Sequence, residues 1–240
     1  NSDPNPLVVA VPRLGRIANF DDCDPIAQEP GVSLIFVEPG DRLPPEARLV
    51  LIPGSKSTIG DLEDFRKNGW DKDLADHHER GGFVMGLCGG YQMLGRRVLD
   101  PGGIESDTRE AEGLSLLDIE TVMAADKTVR ESRAETLDGQ ALEGYEIHLG
   151  RSDGPDCGRP LCRIDGRPDG ATSPEGRVFG TYLHGIFAND GFRRTFLARL
   201  GHKATGHSYR ASVETALDEI ADHLERMVDC DRLLSIAGQR

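Results

Sequence analysis

Gly82-Phe83-Val84-Met85-Gly86-Leu87-Cys88-Gly89-Gly90-Tyr91-Gln92-Met93-Leu94 reads as a buried strand ending at a cysteine, then a glycine pair, then a helix. Tyr91, Met93 and Leu94 fall in that helix's first turn. Glycines on both sides of the cysteine open backbone conformations closed to larger residues, so the chain can turn sharply there. The layout is that of a nucleophile elbow, with sulfur in place of the more familiar serine hydroxyl. At a helix N-terminus, peptide dipoles favour the thiolate. The N–H of Gly89 points where an oxyanion would develop. A buried structural cysteine beside a tight turn is the plainer alternative. Strand, Gly-X-Cys-Gly-Gly and helix in succession favour a nucleophile, which then needs a base.

Upstream, three short apolar runs read as further strands: Leu7 to Val11, Ser33 to Val37 and Arg48 to Ile52. A loop from Pro12 to Asp22 follows the first, and Asp24-Pro25 can start a helix. Between the third strand and the cysteine strand, Leu62, Phe65, Trp70 and Leu74 recur at loosely helical spacing, predicting an amphipathic helical stretch from about 59 to 80. Strand, crossover, strand is the rhythm of a flavodoxin-like, doubly wound, mostly parallel α/β sheet. Sites in such sheets gather outside the carboxyl ends of the strands, here after Val11, Ile52 and Leu87. The loop Pro53-Gly54-Ser55-Lys56-Ser57 lacks the spacing of a phosphate-binding P-loop. Its Gly54–Ser55 backbone can instead supply a second oxyanion donor facing Gly89, or simply end the strand in a turn.

Downstream the pattern becomes β-rich. Strands are predicted within Gly113 to Val122, Lys127 to Leu137 and Ala141 to Leu149. Ser152 to Pro174, dense in Gly, Pro and Asp, reads as an irregular surface loop. Arg177 to His184 reads as a strand with a histidine at its far end, and Gly191 to Leu200 as a helix. After a hinge over Gly201 to Gly206, Ala211 to Leu234 forms a long amphipathic helix. Val213, Leu217, Ile220, Leu224, Met227 and Val228 line one face of it, and its acidic side reads as solvated. This division predicts a catalytic domain over 7–200 and a helical extension over 201–240.

Among the 240 residues, 41 Asp and Glu against 28 Lys and Arg give a formal charge of -13, which argues against nucleic-acid or anionic-membrane partners. No apolar run approaches the ~20 residues needed to span a bilayer, and Asn1 to Pro6 lacks signal-peptide character. Five scattered cysteines suggest neither zinc nor a disulfide framework. A reducing cytoplasm is the expected location.

The base must come from seven histidines. His77 and His78 fall in a polar helix end, and His202, His207 and His223 in the hinge and tail, all read as surface positions. His148 and His184 remain. His184 ends a strand, where the switch-point rule would put a base for Cys88.

Several stretches together resemble one family. Gly86 to Gly95 (GLCGGYQMLG) resembles the nucleophile motif of class I, triad-type glutamine amidotransferases. Pro12 to Asp22 (PRLGRIANFDD), Pro53 to Thr58 (PGSKST), Gly144 to Arg151 (GYEIHLGR) and Gly180 to Phe187 (GTYLHGIF) extend the resemblance to the cobyric acid synthase family, over essentially the whole chain. The resemblance implies that Cys88 attacks the side-chain amide of L-glutamine, with His184 as general base and acid. Ammonia then passes to a synthetase domain that uses ATP and Mg²⁺ to amidate the b, d, e and g carboxylates of cobyrinic acid a,c-diamide. That ATP-binding domain precedes the glutaminase in the family and is missing from this sequence, which itself needs no cofactor or metal.

Many class I glutaminases carry His-X-Glu, whose glutamate orients the imidazole; here that position is Ile186. A Cys–His dyad is therefore expected, with Glu146 as candidate substitute orienter and His148 second, or both merely shaping the pocket wall. Gln92 matches a position lining the glutamine pocket. Arg151 is the candidate for the α-carboxylate, since its fork suits bidentate pairing, and the Tyr182 hydroxyl can reach the site or stay in the core. Alternatives are the glutaminase of cobyrinic acid a,c-diamide synthase or of a peptidoglycan-amidating pair, a thiol hydrolase of the dienelactone type, and a non-catalytic scaffold for the synthetase.

Overall fold

The computed structural model describes residues 5–126, 128–203 and 206–238. At its centre lies a six-stranded sheet in the order Ala171–Thr172, Val178–Thr181, Phe83–Leu87, Leu49–Ile52, Leu7–Pro12, Val32–Val37. Every neighbouring pair is parallel except the short Ala171–Thr172 edge. This is the flavodoxin-like sheet expected from the four apolar runs. Leu49–Ile52 and Phe83–Leu87 are buried at every position, as strands covered on both faces must be. Side chains alternate between two cores: Val50 and Ile52 join Ile59, Leu62, Phe65 and Trp70, while Leu49 and Leu51 join Phe179, Phe187, Phe192 and Phe196.

A second, antiparallel sheet runs Arg167–Asp169, Cys162–Ile164, Thr128–Thr136, Ala141–His148, Leu183–His184. The expected loop over Ser152 to Pro174 instead holds short strands, Cys162–Ile164 and Arg167–Asp169 among them, and the 3-10 turn Pro155–Gly158. Ile164 and Arg167 pair across Asp165-Gly166, both at positive φ (49° and 76°), the Asp-Gly signature of a tight hairpin. The strand expected to begin at Lys127 runs from Thr128 to Thr136; Lys127 itself lies outside the described residues.

Three expected continuous elements are each broken in two, for local reasons. The 59–80 helix becomes Thr58–Lys67 and Trp70–Glu79, interrupted where Gly69 takes φ 74°. The C-terminal helix becomes Tyr209–Met227 and Cys230–Ala237, because Val228 is extended and the Asp229 side chain caps a new start. The Arg177 to His184 strand splits at Tyr182. Val178–Thr181 stays in the central sheet, whereas Leu183–His184 crosses to pair with Tyr145 and Glu146. Asp169 fixes that crossing by accepting hydrogen bonds from the Thr181 hydroxyl and the Tyr182 N–H. His184 is thereby carried to the carboxyl end of the central sheet.

Candidate active site

Cys88 stands at the tip of Phe83–Leu87 with φ 51° and ψ −110°, a conformation rare for a residue with a side chain. Its N–H donates to the Thr181 carbonyl at 2.9 Å. It caps the short Gly89–Met93 helix. The surrounding glycines are required by close backbone approach: a Cβ on Gly89 would lie 2.9 Å from the Ser55 nitrogen, and one on Gly86 2.6 Å from the Gly90 carbonyl carbon. Strain at the elbow and contact beneath it together hold the thiol, 8% exposed, at the mouth of a cavity. The Sγ donates toward the Ile147 carbonyl at 3.4 Å.

His184 is brought to the same place. Its ring is 1% exposed, and its Nδ1 lies 2.6 Å from an oxygen of Asp22. The other Asp22 oxygen accepts the Gly185 N–H at 2.7 Å. The Nε2 has no partner of ordinary hydrogen-bond geometry, yet Cys88 is near enough to bias its protonation. Burial alone would lower the imidazole's proton affinity. The bond to Asp22, followed by the nearness of Cys88 and the charge of Asp22, outweighs burial and pushes the ring up to about 10. Tyr145 stacks on the imidazole with centroids 5.0 Å apart and planes 16° from parallel. The Tyr145 hydroxyl accepts a hydrogen bond from Asn19, itself in the left-handed region at φ 52°. The 3-10 turn Phe20–Cys23 that follows Asn19 presents Asp22 to the ring.

Sequence alone points to Glu146, then His148, as orienter or to both as pocket wall; the carboxylate bonded to the His184 ring is that of Asp22. Tyr145 faces His184, and strand alternation turns Glu146 the other way. The Glu146 carboxylate instead accepts from Arg130 Nε at 2.6 Å and Ser132 Oγ at 3.1 Å. His148 stacks on Tyr182 at 3.9 Å and bonds through Nδ1 to the Gly150 carbonyl. Asp22 lay within a stretch already singled out, Pro12 to Asp22. Without coordinates, nothing tied it to a histidine 162 residues away.

Cys88 and His184 open on a cavity of about 270 Å³, whose lining also includes Gly54, Ser55, Gln92 and Glu105. Gln92 reaches it while its amide is held on three sides: Thr58 Oγ1 donates to Oε1 at 2.9 Å, and Nε2 donates to Leu149 O at 2.8 Å and Tyr182 Oη at 3.1 Å. Tyr182 therefore acts on the pocket through Gln92 rather than lining it. Arg151 does not line the pocket either. It is exposed and borders a separate cavity of about 600 Å³ together with Tyr182 and Glu146. The lysine bordering the Cys88 cavity is Lys56.

Glu105 was not anticipated. Asp100 accepts the N–H groups of Ile104 and Glu105 at 2.7 and 2.9 Å, folding the Pro101-Gly102-Gly103 turn so that Glu105 returns to the pocket. The Thr58 N–H donates to its carboxylate at 2.7 Å. Burial raises its pKa, against the opposing pull of the Thr58 and Ile59 N–H groups. Pro-Gly-Gly marks a turn, but no periodicity reveals where a turn delivers its next side chain.

A buried thiol, an imidazole held by a carboxylate and backbone nitrogens around one small polar cavity are the components of acyl transfer through a thioester. Residues 8–192 match the family model described as CobB/CobQ-like glutamine amidotransferase domain. The chain belongs to this family. It is 60% identical over 232 residues to a cobyric acid synthase of Mesorhizobium japonicum, covering 96% of this chain and 47% of that one. It is 61% identical over 233 residues to one of Sinorhizobium medicae, covering 97% and 48%. The chain thus spans about half the length of these relatives. The fold is similar to that of PurLQS from Thermotoga maritima, with a TM-score of 0.58 at 19% identity, over 75% of this chain and 87% of that one. Among the described residues, no helix of this amidotransferase domain is long and apolar enough to cross a membrane.

Proposed function

We propose that this domain hydrolyses L-glutamine and delivers the ammonia to a synthetase half, which uses ATP and Mg²⁺ to amidate corrinoid carboxylates. The carrying observation is Cys88 at a strained elbow beside His184, whose far nitrogen is bonded to Asp22 at 2.6 Å. Cys88 Sγ attacks the side-chain amide carbon after passing its proton to His184. The oxyanion forms against N–H groups of Gly89 and the Gly54–Ser55 turn. His184 protonates the leaving nitrogen, a glutamyl thioester remains, and water activated by the same imidazole releases glutamate. Asp22 keeps the ring oriented and stabilises its protonated form, so the constellation is Cys–His–Asp rather than a dyad. Glu105 suits the α-ammonium of glutamine and Lys56 its α-carboxylate, the role first given to Arg151.

For the full enzyme, the Mesorhizobium and Sinorhizobium relatives are named cobyric acid synthases, which favours cobyric acid as the product; cobyrinic acid a,c-diamide is the substrate proposed to lead to it. The scaffold alternative rested on the missing glutamate at Ile186, and Asp22 supplies that carboxylate from another part of the chain. The test is glutamate release from glutamine, with the synthetase half present, by the protein and by Cys88→Ala. Loss of at least about 10³-fold in the variant is expected. Activity surviving the substitution would sink the assigned nucleophile. Mapping which carboxylates the full complex amidates separates the cobyric acid reading from that of the a,c-diamide synthase.

A further inference from the structure

The helix Tyr209–Met227 is rooted firmly and covered nowhere. At its base Arg193, 1% exposed, donates to the His207 carbonyl at 2.9 Å, and Asp190 accepts the Tyr209 N–H at 3.0 Å. Beyond that root no residue of this helix, or of Cys230–Ala237 after it, is buried. Yet Val213, Leu217, Ile220, Leu224 and Met227 follow one another at intervals of four, three, four and three residues, which puts them on one stripe. Leu217, Ile220 and Met227 are 55, 56 and 70% exposed. Leu233, Leu234 and Ile236 continue the apolar surface past the bend at Val228, again exposed. A solvated helix has no need of such a stripe, and large exposed apolar patches mark docking surfaces.

The relatives say how much chain is available to cover it. They match this chain over 96–98% of its length, which takes in these helices, and carry about as much polypeptide again. The break at Val228 stops the stripe from continuing as one straight coiled-coil seam, so it fits the broad face of a folded domain better than the same helix of a second copy. At 100° per residue, Glu214, Asp218 and Glu225 lie on one flank of the helix, roughly 60–100° beyond the stripe's margin at Leu217, and all three are exposed.

We infer that the apolar stripe of Tyr209–Met227 is the surface on which the synthetase half docks, and that the matching surface is an apolar groove with basic side chains along the edge that meets Glu214, Asp218 and Glu225. This rests on the reading of the chain as one half of an amidating enzyme.

The test is co-expression of the 240-residue chain with the synthetase half of the Mesorhizobium japonicum relative as a separate polypeptide, followed by size-exclusion chromatography and a binding titration. The expected result is a one-to-one complex for the unaltered chain. Leu217→Glu with Leu224→Glu should weaken it at least tenfold, and adding salt should weaken the unaltered complex. A double variant that binds as well as the unaltered chain overturns the inference. So does an unaltered chain that binds no synthetase half, whether it stays monomeric or forms a dimer that the double variant dissolves. Glutamate release is read separately: intact docking with a silent Cys88 refutes the glutaminase reading and leaves this one standing.

Discussion

Asp22 Oδ2 and His184 Nδ1 are 2.6 Å apart, both side chains almost wholly buried, in segments separated by 162 residues. The pair joins the turn after the first strand to the end of the last one, at the carboxyl edge of the central sheet. It supplies the carboxylate that the residue two places after the histidine, Ile186, cannot.

Asp22→Asn is expected to lower kcat for glutamine hydrolysis by roughly 10²–10⁴-fold, with the fold kept, since an amide oxygen can still accept the Gly185 N–H. The pH dependence gives a readout independent of rate. The folded-state pKa of His184 is raised, to about 10 from 6.5. Stability from its protonated form is therefore complete below about 6.5 and lost as pH rises through about 10. Replacing the Asp22 carboxylate weakens the bond that is the largest upward influence on the ring and removes its charge as well. Thermal melts of the two proteins should differ most at about pH 6.5 and just below, and converge as pH rises to about 10. Parallel melting curves at all pH values would argue against the coupling.

Four of the five parallel strands and the elbow were legible because buried strands are continuous apolar runs and because Gly-X-Cys-Gly-Gly fixes a backbone conformation. His184 was legible for the same reason, lying at the end of such a run. What stayed hidden depends on where loops return. Asp22 and Glu105 both reach the site from turns, whereas Arg151, close to the Gly144 motif in sequence, borders the cavity shared by Tyr182 and Glu146 instead of the Cys88 pocket. The Asp165-Gly166 hairpin was readable from its dipeptide, but the surrounding Gly and Pro masked three-residue strands too short to show a period.

Glu105→Gln keeps an acceptor for the Thr58 N–H while removing the charge assigned to the α-ammonium. A charge-assisted hydrogen bond is worth about 1.5–3 kcal/mol. KM for glutamine should therefore rise roughly 10- to 100-fold with kcat changed less than about threefold, the pattern of lost uniform binding. Steady-state kinetics check it. A fall in kcat with KM unchanged would move Glu105 from substrate binding to chemistry.

Gly90→Ala tests the packing beneath the elbow. A Cβ there would overlap the Ile52 carbonyl and lie 2.8 Å from the Pro53 carbonyl oxygen, both fixed backbone atoms. Overpacking against backbone costs about 3 kcal/mol or more, which in a chain of this size lowers Tm by roughly 6–12 °C. Gly81→Ala is the control. Nothing stands within 4 Å of its Cβ, and only the positive φ of 86° opposes it, a cost of about 1 kcal/mol. Calorimetry should separate the two clearly.

Arg193 is 1% exposed and spends its guanidinium on four partners: Glu29 at 3.0 Å, the Phe187 carbonyl at 2.8 Å, Asp190 at 3.0 Å and the His207 carbonyl at 2.9 Å. It thus ties the turn after His184 to the root of the C-terminal helix. Arg193→Met leaves the Glu29 carboxylate buried without that cation, and breaking such a pair costs about 3–5 kcal/mol. Adding Glu29→Gln removes the buried charge and should recover part of the loss, because an amide is less costly to bury than a carboxylate. At the helix root the guanidinium's bonds to the His207 carbonyl and to Asp190 are lost in both variants, leaving the Asp190–Tyr209 bond, so recovery of global stability should not fully restore it. Hydrogen exchange over Tyr209–Met227 is therefore expected to stay fast in the double variant while the core amides return to slow exchange. Equal recovery in both regions would mean that the helix is held by something other than Arg193.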